Sequence, residues 1–521
     1  MKSLLEKSVQ IFKKSVDALE DPNLPLWYVV FTFLASVGLR NFLEFFSNKS
    51  WVKGDILLHF YLYYVTLGLT LLVLMRLLTK ERIARLFKVI FSCFIVLIVA
   101  PITDLLVSRG KGQDITYLMP EFHGDLIGRF FTFFGKFQEF GISPGMKVEI
   151  FLVLLATLLF FYVKNFSWQK ILLGIVSVYA VIFFYLASPY FIKAFFGWLN
   201  LPFDYSETLF INYYLAVIFL LLIILAFLEN RNFFWSILRD IRLARLFHYW
   251  LMFVLGLILA IKVKGPLILT EEALFYLPFI LMGISLAWIF SVMTNNIADI
   301  EIDKVCNQER PLVKAEIPLA DYKKIMWLVL ALTLIYTVAV NIKVLFLVVF
   351  FLGNYFIYSM PPLRIKRIPF FSKIVILLNS TALIILGFTG LNNLNALYFL
   401  KFIQNFGANF NNFSLLVGLF LFSWLLAINF IDIKDYAGDK KEGIKTLPVI
   451  FGLRAGKAMI GAGAFLCCFL IGFFTGDGKI LLIATLFGLL QFYLINRKNY
   501  QEKYFLALYL IFLLSFFFII G

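Results

Sequence analysis

Apolar residues recur along this chain in long unbroken runs, most of them close to the ~20 residues that carry a helix across a bilayer. About fifteen runs can be marked, at 25–46, 55–78, 86–107, 146–164, 169–197, 209–228, 245–263, 273–297, 325–342, 344–359, 373–391, 412–432, 456–475, 479–495 and 503–520. Each predicts a membrane-spanning helix, because hydrocarbon offers the backbone no hydrogen-bond partner outside its own segment. The first 24 residues follow another pattern. Leu5, Val9, Phe12, Val16 and Leu19 share one helical face, with Lys2, Lys7, Lys13 and Lys14 elsewhere. That spacing predicts an amphipathic helix lying on an anionic membrane surface, with a soluble cap as the alternative. No cleavable leader is expected.

The polar connections alternate in charge. Those at 79–88, 229–245, 304–324, 360–373, 433–457 and 496–503 are rich in Lys and Arg, whereas 198–208 and 391–411 carry few. By the positive-inside rule this places the N-terminus in the cytoplasm and the last residue outside. Composition agrees with a polytopic all-α membrane protein: 62% hydrophobic, 19% aromatic, 15% charged, mean hydropathy +0.91. A soluble domain carries about a quarter charged residues. The net charge of +16 sits in short loops and reads as topology, so nucleic acid is not an expected partner. Cys93, Cys467 and Cys468 lie in apolar runs and Cys306 stands alone, which makes no case for disulfides or zinc.

The basic segment 229–250 separates six spans from nine. The expected organisation is an interfacial helix at 1–24, a membrane domain at 25–230 and a second membrane domain at 231–521. The second domain holds the chemistry. The uncharged run Ala273–Met293 leads into Asn295, Asp299 and Asp303, four residues apart, which stack on one face if the helix continues. Asp432, Asp435 and Asp439 follow another apolar run and emerge on the same side. Carboxylates gathered at one end of a bundle repel one another and need cations. Mg²⁺ suits them, because it takes oxygen ligands and typically combines one or two carboxylates with substrate phosphates. A diphosphate between the two ladders would meet Arg310, Arg364, Lys366, Arg367 and Lys445. Helix ends at a membrane surface also carry charge for topology alone, and Lys323, Lys324, Lys440 and Lys441 read as solvated.

These segments resemble the UbiA superfamily of intramembrane prenyltransferases. Its first motif, N-D-x-x-D-x-x-x-D followed by R-P-L, is similar to "NNIADIEID" and the "RPL" at 310–312. Its Y-S-x-P-P-x-R-x-K loop is matched by "YSMPPLRIK" at 358–366. Its second motif is matched from Asp432 to Pro448. The resemblance covers about 280 residues, from near 235 to 521, and nine spans, the number in the family's fold. Asn296 departs from it, standing where the family usually has Asp; its amide oxygen could still reach a cation or a phosphate-bound water.

The resemblance implies Mg²⁺-assisted departure of diphosphate from an isoprenyl diphosphate and transfer of the isoprenyl group to a lipid-soluble or aromatic acceptor. Asp299, Asp303, Asp432, Asp435 and Asp439 are its implied metal ligands, Asp299, Asp303, Asp435 and Asp439 serving catalysis. Asn295, Arg310, Tyr358, Arg364, Lys366 and Lys445 are the implied diphosphate contacts, with Ser359 beside Tyr358. Family acceptors include quinone precursors, haem, chlorophyllide and glycerol-phosphate lipids. One branch moves phosphoribose from a diphosphate sugar onto polyprenyl phosphate, and the motifs do not separate the two reactions. A secondary transporter is the competing class, and would place ionisable groups near the bilayer midplane rather than at helix ends. An inactive scaffold leaves the two ladders unexplained.

The resemblance says nothing about the first 230 residues. Arg40, Glu44, Asp104 and Glu149 are ionisable groups in apolar runs and usually face a partner or a watery cavity. One expectation is an outward-facing polar pocket for a lipid head group; the other is an Arg40–Glu44 pair with ordinary interfacial carboxylates. Glu121, His123 and Asp125 in "EFHGD" are too mixed a set to argue a metal, and His59 and His248 read as interfacial.

Overall fold

A computed structural model describes residues 2–48, 54–113, 116–121, 124–135, 141–198, 205–264, 271–368, 371–391, 401, 403–405, 413–441 and 443–520. Among them, fourteen helices are long and apolar enough to cross a membrane, six before residue 231 and eight after it. The last helix, Glu502–Ile520, adds a ninth of similar apolar character to the second group. This is an all-α, multi-pass integral membrane protein.

The chain forms two compact units that divide at Arg231. In the first, α1 (Lys2–Glu20) is the amphipathic helix, and Val16 on its apolar face is buried. It is followed by α2 (Leu26–Asn48), α3 (Gly54–Thr79), α4 (Ile83–Cys93), α5 (Val99–Val107), the short α6 (Leu126–Phe131), α7 (Pro144–Val163), α8 (Trp168–Leu186), α9 (Ser188–Trp198) and α10 (Glu207–Glu229). Two spans expected to be continuous are interrupted. Residues 86–107 contain a 3₁₀ turn, Phe94–Ile98, ahead of Pro101. The run 169–197 breaks at Ala187, ahead of Pro189. Proline has no N–H for the i−4 carbonyl and disfavours helical geometry at the residue before it, which accounts for both breaks.

The second unit contains α11 (Arg231–Asp240), which begins at the dividing residue, then α12 (Leu243–Lys264), α13 (Glu271–Ala298), α14 (Ile300–Cys306), α15 (Leu319–Val340), α16 (Ile342–Ser359), α17 (Phe371–Thr389), α18 (Phe413–Ala427), α19 (Tyr436–Lys441), α20 (Leu447–Phe451), α21 (Leu453–Thr475), α22 (Gly478–Asn496) and α23 (Glu502–Ile520). Helices α12 and α17 approach until backbones touch. A Cβ on Gly256 would come within 1.9 Å of the Ile384 carbonyl oxygen, and one on Gly387 within 1.9 Å of that of Phe253. Small residues at such crossings let helices associate where no hydrophobic effect drives them together. The crossing fixes His248 and Tyr249 on α12 relative to Lys373 and Ser380 on α17.

Candidate active site

The first carboxylate ladder forms where α13 ends. The helix breaks at Asp299, yet Asp299 N–H still donates to Asn295 O at 2.9 Å and Asp303 N–H to Asp299 O at 2.8 Å. The i, i+4 register therefore survives the break, and all three side chains line one cavity. Arg364 secures the junction. Its Nη2 donates to Ala298 O at 2.8 Å, satisfying a carbonyl at the helix end, and to Asp299 Oδ1 at 2.9 Å. Lys366 Nζ also binds Asp299 Oδ1.

The second ladder follows α18, which tightens into a 3₁₀ turn over Ile428–Asp432. Asp432 is buried, with Lys373 Nζ 2.8 Å from each carboxylate oxygen and donating to Oδ1. Asp435 and Asp439 lie in the next turns and face the same cavity. The two ladders meet at Asn307, just past α14. Its Nδ2 donates to Asp303 Oδ1 at 2.9 Å and to Asp435 Oδ1 at 3.2 Å.

The cavity measures about 420 Å³. Five carboxylates (Asp299, Asp303, Asp432, Asp435, Asp439) and five cations (Arg242, Arg245, Arg310, Lys366, Lys373) line its polar end. Burial pushes the Asp439 carboxyl up to about 7; Asp432 and Asp435 add to the rise, and Lys373 and Lys366 offset part of it. Asp303 is also raised by burial, against the pull of Arg310 and Asn307. Arg242 is pushed down to about 10, first by burial and then by repulsion from Arg310 and Arg245. Burial lowers Lys366 to about 8, despite nearby Asp439 and Asp435. Like charges thus crowd one another on both sides of the cavity. Its remainder is apolar and aromatic. Tyr249 sits 5.2 Å from Trp288, and Trp288 lies 5.8 Å from Tyr355, ring centre to ring centre.

Of the residues singled out in the sequence, Asn295, Asp299, Asp303, Arg310, Tyr358, Lys366, Asp432, Asp435 and Asp439 line this cavity. Arg364 does not; it holds Asp299. Ser359 is fully buried and donates to Asn295 Oδ1 at 3.2 Å, so it positions that amide instead of facing a ligand. Lys445 and Arg367 are exposed, as are Lys323, Lys324, Lys440 and Lys441. The neighbours of Lys445, Ile444 and Thr446, line the cavity, while Lys445 does not. His248, expected at the membrane interface, lines the cavity between Ser380 Oγ at 3.2 Å and Tyr509 O–H at 3.0 Å. Arg242, Arg245 and Lys373 escaped sequence reading because each sits in the first turn of a helix or just before it, where basic residues are demanded by topology anyway. Nothing in the spacing marks Asn307.

The sequence profile of the UbiA prenyltransferase family matches residues 249–518. The chain belongs to that family. No curated protein matches it. Among solved structures, it is similar to a UbiA homolog from Archaeoglobus fulgidus bound to DMAPP and Mg²⁺, at 19% identity over 55% of this chain and 98% of the other, with a TM-score of 0.39. The same homolog bound to GPP and Mg²⁺ gives 19% identity over 55% and 99%, with a TM-score of 0.40. A digeranylgeranylglyceryl phosphate synthase gives 20% over 54% and 96%, with a TM-score of 0.35.

Within this UbiA-family unit, Asn296 faces away from the cavity. Its Nδ2 donates to Asp240 Oδ2 at 2.6 Å and to Tyr322 O–H at 3.1 Å, while its Oδ1 accepts from Arg242 at 2.8 Å and from Arg310. The amide therefore holds two cavity cations, and it is not a candidate ligand. The donor set suits Mg²⁺. Asp303 and Asp435 present hard oxygen atoms within reach of one amide group. Among the described residues no three acidic, His or Cys side chains are arranged to hold a metal ion by themselves. An ion that uses one or two carboxylates and completes its shell from phosphate and water matches that arrangement.

Proposed function

We propose that the second unit catalyses Mg²⁺-dependent transfer of an isoprenyl group from an isoprenyl diphosphate to a lipid-soluble or aromatic acceptor, with release of diphosphate. The observation that carries this reading is the pairing of a crowded carboxylate set with a crowded guanidinium set above an aromatic cavity. Asp303 pairs with Arg310, Asp299 with Lys366 and Asp432 with Lys373, and a metal diphosphate offers each side of the cavity a further partner of opposite sign.

Asp303 and Asp435, supported by Asp299, Asp432 and Asp439, would hold the cation. Bound there, Mg²⁺ supplies Lewis-acid neutralisation of the departing diphosphate. Arg242 and Arg310 offer planar forks to phosphate oxygens, and Lys366 adds a point charge. These groups are fixed before reaction by Asn296, Asp303 and Asp299, so they stabilise developing charge without reorganising. Tyr249, Trp288 and Tyr355 present ring faces to the cation-like allylic fragment, and the apolar wall excludes water from it. The Lys- and Arg-rich loops support a cytoplasmic carboxylate end and N-terminus, with the C-terminus outside. Residues 25–230 form a separate membrane domain behind the interfacial helix at 1–24.

The test is to incubate purified full-length protein with Mg²⁺ and labelled isoprenyl diphosphate against a panel of acceptors. Phosphoribosyl diphosphate with polyprenyl phosphate makes the parallel arm. Isoprenyl-dependent diphosphate release is expected, and Asp299→Ala and Asp439→Ala should abolish it while membrane insertion stays normal. Full activity in both variants, or turnover only with the phosphoribosyl donor, overturns the reading.

A further inference from the structure

The first unit encloses a cavity of about 510 Å³ that no part of the prenyl-transfer reading uses. Along α3 its wall includes Ile56, His59, Tyr63, Leu67, Leu71 and Met75, one helix face over five turns. At 1.5 Å per residue that face runs about 28 Å, nearly the thickness of a bilayer's hydrocarbon core. The polar side chains gather at one end: Arg40, His59, Tyr63, Tyr64, Glu149 and Glu207. The other end, toward Met75, Leu86 and Phe160, is apolar, and Phe12 of α1 lines it too.

The polar end is built and ordered. Arg40, 3% exposed, donates from Nε to Glu44 at 2.7 Å and from Nη1 to Glu149 at 2.8 Å, across 109 positions of sequence. His59, 5% exposed, is held between Glu207 on Nδ1 and the Tyr117 hydroxyl on Nε2, and Tyr117 passes the chain to Tyr214 at 3.0 Å. Glu149 and His59 are thus both paired inside the unit. Asp104 stands apart, accepting from Gly145 N–H at 2.7 Å. Glu121 pairs with Lys193 and Asp125 caps α6, so they make no joint site; His123 lies outside the described residues.

Several polar atoms at this end are left over. Tyr63 and Tyr64 are 7% and 6% exposed, line the cavity, and their hydroxyls find no hydrogen-bond partner among the described residues. Arg40 Nη2 likewise has no acceptor among them. A purely structural ion network gives these three groups no role. The charge balance limits what could satisfy them. Glu44, Glu149 and Glu207 face one guanidinium and one imidazole, so a phosphate or other anionic head meets net repulsion. In the cavity of the second unit, by contrast, five cations match five carboxylates. Open donors on Tyr63, Tyr64 and Arg40, next to acceptors on Glu149 and Glu207, match a group that both accepts and donates: a hydroxyl.

We propose that this cavity is a second lipid site, binding an uncharged single-chain lipid whose hydroxyl head lies among Arg40, His59, Tyr63 and Glu149 and whose tail fills the apolar length toward Met75. The volume suits one long chain with a small head, not a two-chain phospholipid. The site is independent of the prenyl-transfer assignment, since it shares no residue with it.

The test uses full-length protein in detergent and a diazirine-bearing geranylgeraniol as photoprobe, with labelled peptides mapped by mass spectrometry. Labelling is expected in 56–97 and 146–160. It should be competed by unlabelled geranylgeraniol or hexadecanol, whichever tail the site prefers, and at least tenfold less well by geranylgeranyl phosphate. Leu71→Trp, which fills the tail channel, should abolish competable labelling. Tyr63→Phe keeps the ring and removes only the hydroxyl, and should weaken competition by roughly fivefold to tenfold, the range of one hydrogen bond. Both variants are checked by size-exclusion profile, and Tyr63→Phe decides the matter if Leu71→Trp does not fold. Labelling that no alcohol competes, equal competition by the phosphate, or indifference to the variants that fold overturns the proposal.

Discussion

Asp303 on α14 and Asp435 in the turn before α19, far apart in the chain, accept hydrogen bonds from the same amide nitrogen, Asn307 Nδ2, at 2.9 and 3.2 Å. One neutral donor thus sets the gap between the two ladders. Outer-shell groups that orient metal-binding carboxylates are typically worth 10–100-fold in metal affinity. Asn307→Ala should raise the Mg²⁺ concentration for half-maximal activity by about that factor, with kcat at saturating Mg²⁺ falling much less. A Mg²⁺ titration of turnover checks this, and an unchanged midpoint would remove Asn307 from the site.

Metal uptake should be coupled to protons. In the metal-free protein the Asp439 carboxyl sits near 7, raised by burial and by Asp432 and Asp435. A cation binds only the ionised form, so near pH 7 binding drives off part of a proton. Affinity for Mg²⁺ should therefore climb as pH rises through about 7 and level off above about 8. Calorimetry in buffers of different ionisation enthalpy reads the released protons directly. Release is expected at pH 7, nearly none at pH 8.5, and less at both in Asp439→Asn. Buffer-independent heats at pH 7 would contradict the coupling.

Lys366 and Lys445 both follow from motif matching, but only Lys366 lines the cavity. Lys366→Ala should raise donor KM at least tenfold, about 1.4 kcal/mol. Lys445→Ala should leave donor KM within about twofold. Equal effects on steady-state KM would mean that the exposed loop folds over the substrate.

The contrast between these two lysines shows where sequence reading succeeds and where it stops. The spans were legible because a bilayer imposes length and apolarity on every one of them. Both Asp ladders were legible because carboxylates at i, i+4 beside apolar runs have few other reasons to exist. The helix breaks at Ala187 and Phe94 are marked only by Pro189 and Pro101, since the apolar pattern continues through both. Nor could the sequence separate cations that turn inward, such as Arg242 and Lys373, from those that stay in water, such as Lys445; tertiary packing decides that. His59 and Glu207, 148 positions apart, meet only in the fold.

The departure at Asn296 has its own logic. Its Nδ2 donates to Asp240 Oδ2 at 2.6 Å, and its Oδ1 accepts from Arg242 and Arg310. Both Asn296 and Asp240 are buried. Aspartate at 296 would keep the two arginine contacts but lose the donor, setting two buried carboxylates against each other. Breaking a buried charged pairing in this way typically costs about 3 kcal/mol or more. Asn296→Asp alone should therefore lower thermal stability and activity together. Asp240→Asn in the same chain restores one donor and one carboxylate with the positions exchanged. The double variant should recover most of the lost stability, a coupling of roughly 2 kcal/mol in a double-mutant cycle. Additive losses would show that the contact between 240 and 296 does not govern the choice of amide at this position.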